Sequence, residues 1–273
     1  MKIKIKANLG LLIKILIGIG IIIPVIMAVL FSFQSNSEIN TVPLHLFTKN
    51  LTLENYKYVI ENIPIFTYLK NTIIMLLICI PCQVILGSLA AYGFSFFDFP
   101  FKNALFTIFL AVMMIPGEVI IISNYTTVQN MGLMDTYLGM TITTLFDVSA
   151  MFMLRQHMLS MPKSLQEAAK IDGCGDMKYF FSVVLPMSKS IIAAQVLNSF
   201  IGIYNQYFWP LLVTQTDEMR TVQTGVAQLM LSGSNYYGWV LAGAVLSMII
   251  PIIVYVLGLD KIVDGMTAGA VKS

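Results

Sequence analysis

The chain has 273 residues, 57% of them hydrophobic and only 11% charged. A soluble domain carries about 25% charge, so the composition excludes an ordinary water-soluble globule and points to the bilayer as solvent. A formal net charge of +2 is too small to suggest nucleic acid as a partner; charge matters here through where it falls.

A membrane helix needs about 20 mostly apolar residues. Six segments meet or approach that length: 9–33, 73–97, 105–122, 137–154, 191–213 and 239–259. The first follows the basic start MKIKIK, which is also how a signal peptide begins. Its apolar run is too long for a signal peptide and no A-x-A site follows, so it reads as a retained helix. Residues 34–69 form a polar segment, with LTLENYKYVIEN reading as a partly helical cap. The second span has no charge. It contains Cys79-Ile-Pro-Cys82, the spacing of a redox or zinc motif. With no second pair nearby, these read as two small apolar residues of a membrane helix. Cys174 is the third cysteine, and no disulfide framework follows.

The third span holds one charge, Glu118, directly after Pro116-Gly117, a pair expected to kink or interrupt the helix. Residues 123–136 then read as an outer loop. The fourth span holds only Asp147, which is costly in lipid unless it is paired or faces water. The fifth has amides in place of charges, and the sixth has neither. With a cytoplasmic N-terminus, the inner segments carry 12 of the 16 Lys and Arg, and the outer segments carry Lys49, Lys57, Lys70 and Arg220. The positive-inside rule therefore predicts that both termini are cytoplasmic. There is no repeat, low-complexity tract or linker, and 1–273 reads as a single all-α membrane domain of six transmembrane helices.

That orientation leaves 156–189 in the cytoplasm. Here Ser164-Leu-Gln-Glu167 fits an S-x-x-E capping box, so a helix is expected to start at Ser164. Gly173 is expected to end it as a C′ glycine. A second short helix over 177–184 then leads through Leu185-Pro186 into the fifth span. A lone cytoplasmic loop has little reason to be helical unless it packs on something, and a separate soluble partner is the natural candidate.

The same stretch resembles the EAA loop of binding-protein-dependent ABC importer permeases. Glu167-Ala168-Ala169, three residues, Gly173, nine residues and Val183-Val184-Leu185-Pro186 follow that family's pattern, with Val183 for Ile the only departure. The phrases TYLGM, FMLRQHMLSMPKSLQEAAKIDG, LPMSKSIIAA, YNQYFWPLLV and DGMTAGAVKS are similar to the carbohydrate-importing branch. MIPGEVIIISNY and YNQYFWPLL are closest within it to permeases for sn-glycerol 3-phosphate. The resemblance implies a MetI-like ABC permease fold, with 9–33 as an added first span, 34–69 outside the cytoplasm and 70–260 as the permease core. It makes 156–189 the coupling loop, with Glu167, Ala168, Ala169, Gly173, Leu185 and Pro186 as its docking residues. It implies a second permease chain, two ATPase subunits that hold ATP and Mg, an extracytoplasmic solute-binding protein, and a bacterial plasma membrane. No cofactor is expected on this chain itself.

An importer of a polar solute needs a polar stripe through its spans. Gln195, Asn198, Tyr204, Asn205, Gln206 and Trp209 in the fifth span, with Glu118, are the candidates. Asn198 and Asn205 are seven apart and share a helix face, and amides and aromatic rings suit hydroxyl-rich solutes. The same amides can instead join helices, and the aromatic residues can form an interfacial belt. The chain contains no Gly-Lys pair and therefore no P-loop, so it reads as a transport subunit and not an enzyme. His45 and His157 stand alone, which argues against a metal site. The alternative is a secondary transporter driven by an ion gradient, with Glu118 and Asp147 as its intramembrane charges. It leaves the EAA pattern without an explanation.

Overall fold

The computed structural model describes residues 2–41, 46, 51–232 and 236–268. His45, Lys49, Lys272 and the end of the DGMTAGAVKS tail lie outside them. Among the described residues the chain is helical without a strand. It divides into two compact units. One runs from the start of the chain through Phe66 and adds Val222–Ile250; the other takes Thr67–Thr221 and the chain from Pro251 onward.

The first unit contains α1 (Lys2–Ser32), α2 (Asn36–Ile39), α3 (Glu54–Asn62), α14 (Val222–Ser232) and the first part of α15 (Tyr237–Ala268). The polar segment after α1 does contain a helix, and α3 caps the end of α1. Asn55, buried at 2% exposure, donates from Nδ2 to the carbonyls of Ser32 and Gln34 at 2.9 and 2.7 Å. The Ser32 carbonyl is one that the end of α1 leaves unpaired, and Gln34 lies just beyond it. Gly238 is glycine for a steric reason, since a Cβ there would sit 2.6 Å from the Asn55 amide. The Tyr58 and Trp239 rings stack with centroids 3.5 Å apart.

The second unit holds most of α4 (Ile65–Phe96), then α5 (Lys102–Met113), α6 (Gly117–Asn130), α7 (Tyr137–Thr141) with a 3-10 turn over Ile142–Thr144, and α8 (Val148–Leu159). There follow α9 (Lys163–Ile171), α10 (Asp176–Tyr179), a π turn over Phe180–Val184, α11 (Leu185–Met187), α12 (Lys189–Tyr204) and α13 (Phe208–Val213). Its core joins Ala91, Tyr92 and Phe94 of α4, Met151, Leu154 and Met158 of α8, and Tyr179, Phe180 and Val184 of the loop. Gln83 donates to the Thr144 carbonyl at 2.7 Å, tying α4 to the 3-10 turn. Cys79 is a buried free thiol of this packing, and Cys82 and Cys174 are also free.

Three unbroken helices, Gly10–Ser32, Ile65–Phe96 and Tyr237–Gly258, are long and apolar enough to cross a membrane. Three further spans exist only as bent pairs: Lys102–Met113 with Gly117–Asn130 at 98°, Tyr137–Thr144 with Val148–Leu159 at 43°, and Asp176–Met187 with Lys189–Tyr204 at 74°. Six spans result if each pair counts as one.

The breaks correct several sequence expectations. Residues 123–130 continue α6 and are not loop. The fourth span is interrupted just before Asp147. The fifth is interrupted at Asn205–Tyr207, so Asn205 caps α12 instead of lying on its face. At 1.5 Å per residue, the 16 residues of α12 reach only about 24 Å, short of the ~30 Å hydrocarbon core.

Candidate functional site

The loop is built from its turn outward. α9 starts one residue before the expected position, at Lys163, with Pro162 as its N-cap and no side-chain cap bond. The capping box is therefore absent. The fixed φ of Pro162 suits a helix start, and Ser164 falls inside the first turn. Capping does not account for Glu167, which is exposed. The C-terminal expectation holds. Gly173 has φ +66, its N–H donates to the Lys170 carbonyl at 3.1 Å, and the Cys174 N–H donates to the Ala169 carbonyl at 2.8 Å. This is a Schellman turn, which favours glycine at the left-handed position. Ala169 and Cys174, the residues flanking those bonds, pack against the unit's core.

The second loop helix starts at Asp176, with Gly175 as its cap. The Tyr92 hydroxyl donates to the Asp176 carbonyl at 3.0 Å and pins this helix to α4. The π turn lies directly before Pro186, whose missing N–H and bulky ring disrupt the α ladder. Leu185 packs against the core while Pro186 is exposed. The outward surface therefore carries Glu167, Ala168 and Gly173, with Ile171 and Met177 beside them at 85% and 58% exposure. Ala169, expected on that surface, faces inward.

The α5–α6, α7–α8 and α12–α13 breaks meet at a cavity of about 370 Å³, which the 74° bend at Ser188 between α11 and α12 does not line. Gly117 and Glu118 reach it from the α5–α6 break, Thr143 and Thr144 from the 3-10 turn, and Gln206, Tyr207 and Trp209 from the α12–α13 break; Asn124 completes the polar set. Glu118 lies in the first turn of α6, where a carboxylate is favoured by the helix dipole. The Gln206 Oε1 is buried and meets no hydrogen-bond partner. Trp209, 5% exposed, donates from Nε1 to the Gly139 and Met140 carbonyls, both at 3.2 Å. Among the described residues that line the cavity there is no Lys, Arg or His.

The remaining fifth-span candidates fall elsewhere. Gln195 is 1% exposed and donates to Asp147 Oδ2 at 2.9 Å and to Ser199 Oγ at 3.2 Å. Asp147 also caps α8 by accepting from the Ser149 N–H at 2.8 Å. This pair joins α8 to α12, which is the helix-joining alternative for a membrane amide. Tyr204 is buried at 2%. Asn198 opens onto a separate apolar groove with Leu197, Pro251 and Tyr255. Sequence reasoning missed Asn124, Thr143 and Thr144. Adjacent threonines inside an apolar span were the available signal, while Asn124 falls in the stretch 123–136 that the sequence presents as loop and that α6 in fact enters. No cluster of His, Cys, Asp and Glu among the described residues could hold a metal ion.

Residues 83–265 match the family described as binding-protein-dependent transport system inner membrane components. The chain belongs to this family, and it is a multi-pass membrane component of a transport system. The arabinooligosaccharides transport system permease protein AraQ of Halalkalibacterium halodurans is 28% identical, over 92% of this chain and 91% of that protein. The sn-glycerol-3-phosphate transport system permease protein UgpE of Rhizobium meliloti is 31% identical, over 92% and 93%. A chain of a bacterial ABC transporter involved in import of the acidic polysaccharide alginate superposes with a TM-score of 0.82 at 21% identity, over 94% of this chain and 96% of that one. The MetI-like permease fold expected from the sequence is the fold found.

Proposed function

We propose that this chain is one of the two membrane subunits of an ABC importer for a sugar or sugar-like, hydroxyl-rich solute. Its loop over 156–189 receives the motion of a separate ATPase subunit. The observation that carries this reading is the exposed face of Glu167, Ala168 and Gly173. The spaced pattern forms a rigid turn held to the core by Tyr92, Ala169 and Leu185, and capping no longer explains Glu167. Two ATPase subunits bind ATP and Mg, a second permease chain completes the path, and an extracytoplasmic binding protein delivers the solute. The family supports a bacterial inner membrane, and the distribution of basic residues supports both termini being cytoplasmic. Closure of the ATPase pair draws the coupling loops together, and the spans answer by opening outward, a two-state exchange that ligand and nucleotide both bias.

The cavity at the three breaks is this chain's share of the path. Amide, hydroxyl and aromatic groups suit hydroxyl-rich ligands. The carboxylate of Glu118, with no cation among the described residues that line the cavity, favours a neutral oligosaccharide over a phosphate ester such as sn-glycerol 3-phosphate, because like charges repel. Uptake of a labelled neutral oligosaccharide and of labelled sn-glycerol 3-phosphate, in cells with and without this chain, tests the substrate. ATP depletion is expected to stop uptake while collapse of ion gradients leaves it; the reverse outcome would sink the importer reading in favour of an ion-driven carrier. Gly173→Leu is expected to abolish co-purification of the ATPase while the chain still inserts. Normal association and transport in that variant would refute the docking role.

A further inference from the structure

A second polar cavity, of about 430 Å³, opens where α4 ends and α5 begins. Its charged groups are Lys102, Arg155 and Asp98. The Arg155 guanidinium lies 3.9 Å over the Phe106 ring, and its Nε donates to the Phe94 carbonyl at 3.4 Å. Its two terminal amino groups meet no acceptor among the described residues. Lys102 Nζ donates to the Phe97 carbonyl at 2.6 Å and to Asp98 Oδ1 at 3.3 Å. The Lys102 side chain is only 19% exposed, whereas the Asp98 carboxylate stands fully in the open. The twelve-residue α5 starts at Lys102 without a side-chain cap, and its uncapped N–H groups add partial positive charge.

The position matters as much as the charge. The cavity sits at the end of the membrane-length helix Ile65–Phe96, and Phe97, Phe99 and Phe101 are all exposed around it. Exposed aromatic rings beside basic residues at the end of a span mark the membrane–water boundary. We propose that this cavity binds a phosphate group, either the headgroup phosphate of an anionic phospholipid or free phosphate reaching it from water. Arginine offers a planar fork matched to phosphate oxygens, lysine adds a point charge, and the exposed phenylalanines lie where a lipid's acyl chains would run. Asp98 opposes binding, and the cavity keeps a net charge of one positive unit.

The test uses the full chain in detergent, with its thermal unfolding midpoint titrated against phosphatidylglycerol, phosphatidylcholine and inorganic phosphate. Phosphatidylglycerol is expected to raise the midpoint saturably and phosphatidylcholine to leave it unchanged. Lys102→Gln should weaken the phosphatidylglycerol response by about fivefold, and Asp98→Asn should tighten it by a similar factor. An equal shift with inorganic phosphate alone keeps the site and makes the soluble anion its ligand. An equal response to phosphatidylcholine, or the absence of any saturable shift, overturns the proposal. So does a phosphatidylglycerol response that neither substitution alters. If Lys102→Gln fails to fold, Asp98→Asn decides by itself, since its exposed carboxylate can be neutralised without touching the core.

Discussion

The unbroken spans and the broken ones differ in a way that proline alone does not explain. α1, α4 and α15 carry Pro24, Pro81 and Pro251 well inside continuous helices. Membrane helices tolerate this because neighbouring groups re-satisfy the freed carbonyl. Of the bent spans, the one with a 74° bend at Ser188 does follow a proline, Pro186, but the other interruptions fall at different signals. Pro116 is followed by Gly117-Glu118, and α6 begins with that carboxylate in its first turn. Asp147 caps α8 with no proline or glycine near it. The α12–α13 break falls on Asn205-Gln206-Tyr207, with Asn205 closing α12 and no side-chain cap opening α13. A proline weakens a helix by one bond, but a residue that caps, as Asp147 does, offers the backbone a second beginning. The α5–α6, α7–α8 and α12–α13 breaks then meet at one cavity, while the unbroken helices leave long apolar faces exposed.

The sharpest way to break this contrast is Asp147→Ala. It removes the α8 cap, worth about 1 kcal/mol, and the charged partner of buried Gln195, worth about 1.5–3 kcal/mol. A drop of about 3 kcal/mol in stability is expected by thermal or denaturant unfolding in detergent, and an unchanged midpoint would strip the break of its capping explanation. Gln206→Leu should act the other way. Its carbonyl is already buried without a partner, so removing it leaves stability within about 1 kcal/mol of the parent, while solute uptake is expected to fall at least about tenfold. Equal losses in both readouts would make Gln206 structural.

Glu118→Gln separates the dipole role from the path. Losing the dipole interaction removes at most about 1 kcal/mol, and uptake of a hydroxyl-rich solute is expected to change several-fold with little loss of stability. Stability falling alone would leave Glu118 as a helix-start residue. The smallest effect belongs to Pro81→Ala in the unbroken α4. Restoring the bond should shift stability by less than about 1 kcal/mol and leave uptake unaltered. A large effect there would erase the distinction between the two kinds of span.

The loop and the cavity were not equally legible. Gly173 could be read because a C′ glycine after a short helix is a local event, set by a few neighbouring φ and ψ angles. The capping box around Ser164 looked equally local and did not form, because Pro162 supplies the start without a side-chain acceptor. The fifth-span amides could not be sorted by spacing. Gln195 and Asn198 are three apart and read as one stripe, yet Gln195 is drawn to Asp147 on α8 while Asn198 opens to an apolar groove. A helix wheel assumes a continuous helix, and α12 ends at Tyr204.

The sequence by itself determined that this chain lives in a bilayer, where its apolar runs lie and which family its loop resembles. Hydrophobicity, basic residues and turn glycines act over short stretches and need no partner. Only the tertiary structure decided which amides join helices and which meet at a cavity, because a buried polar group takes its role from the element packed against it. It also decided that three spans bend, since whether a break wins over the helix ladder depends on what the freed backbone meets, as the Asp147 cap shows.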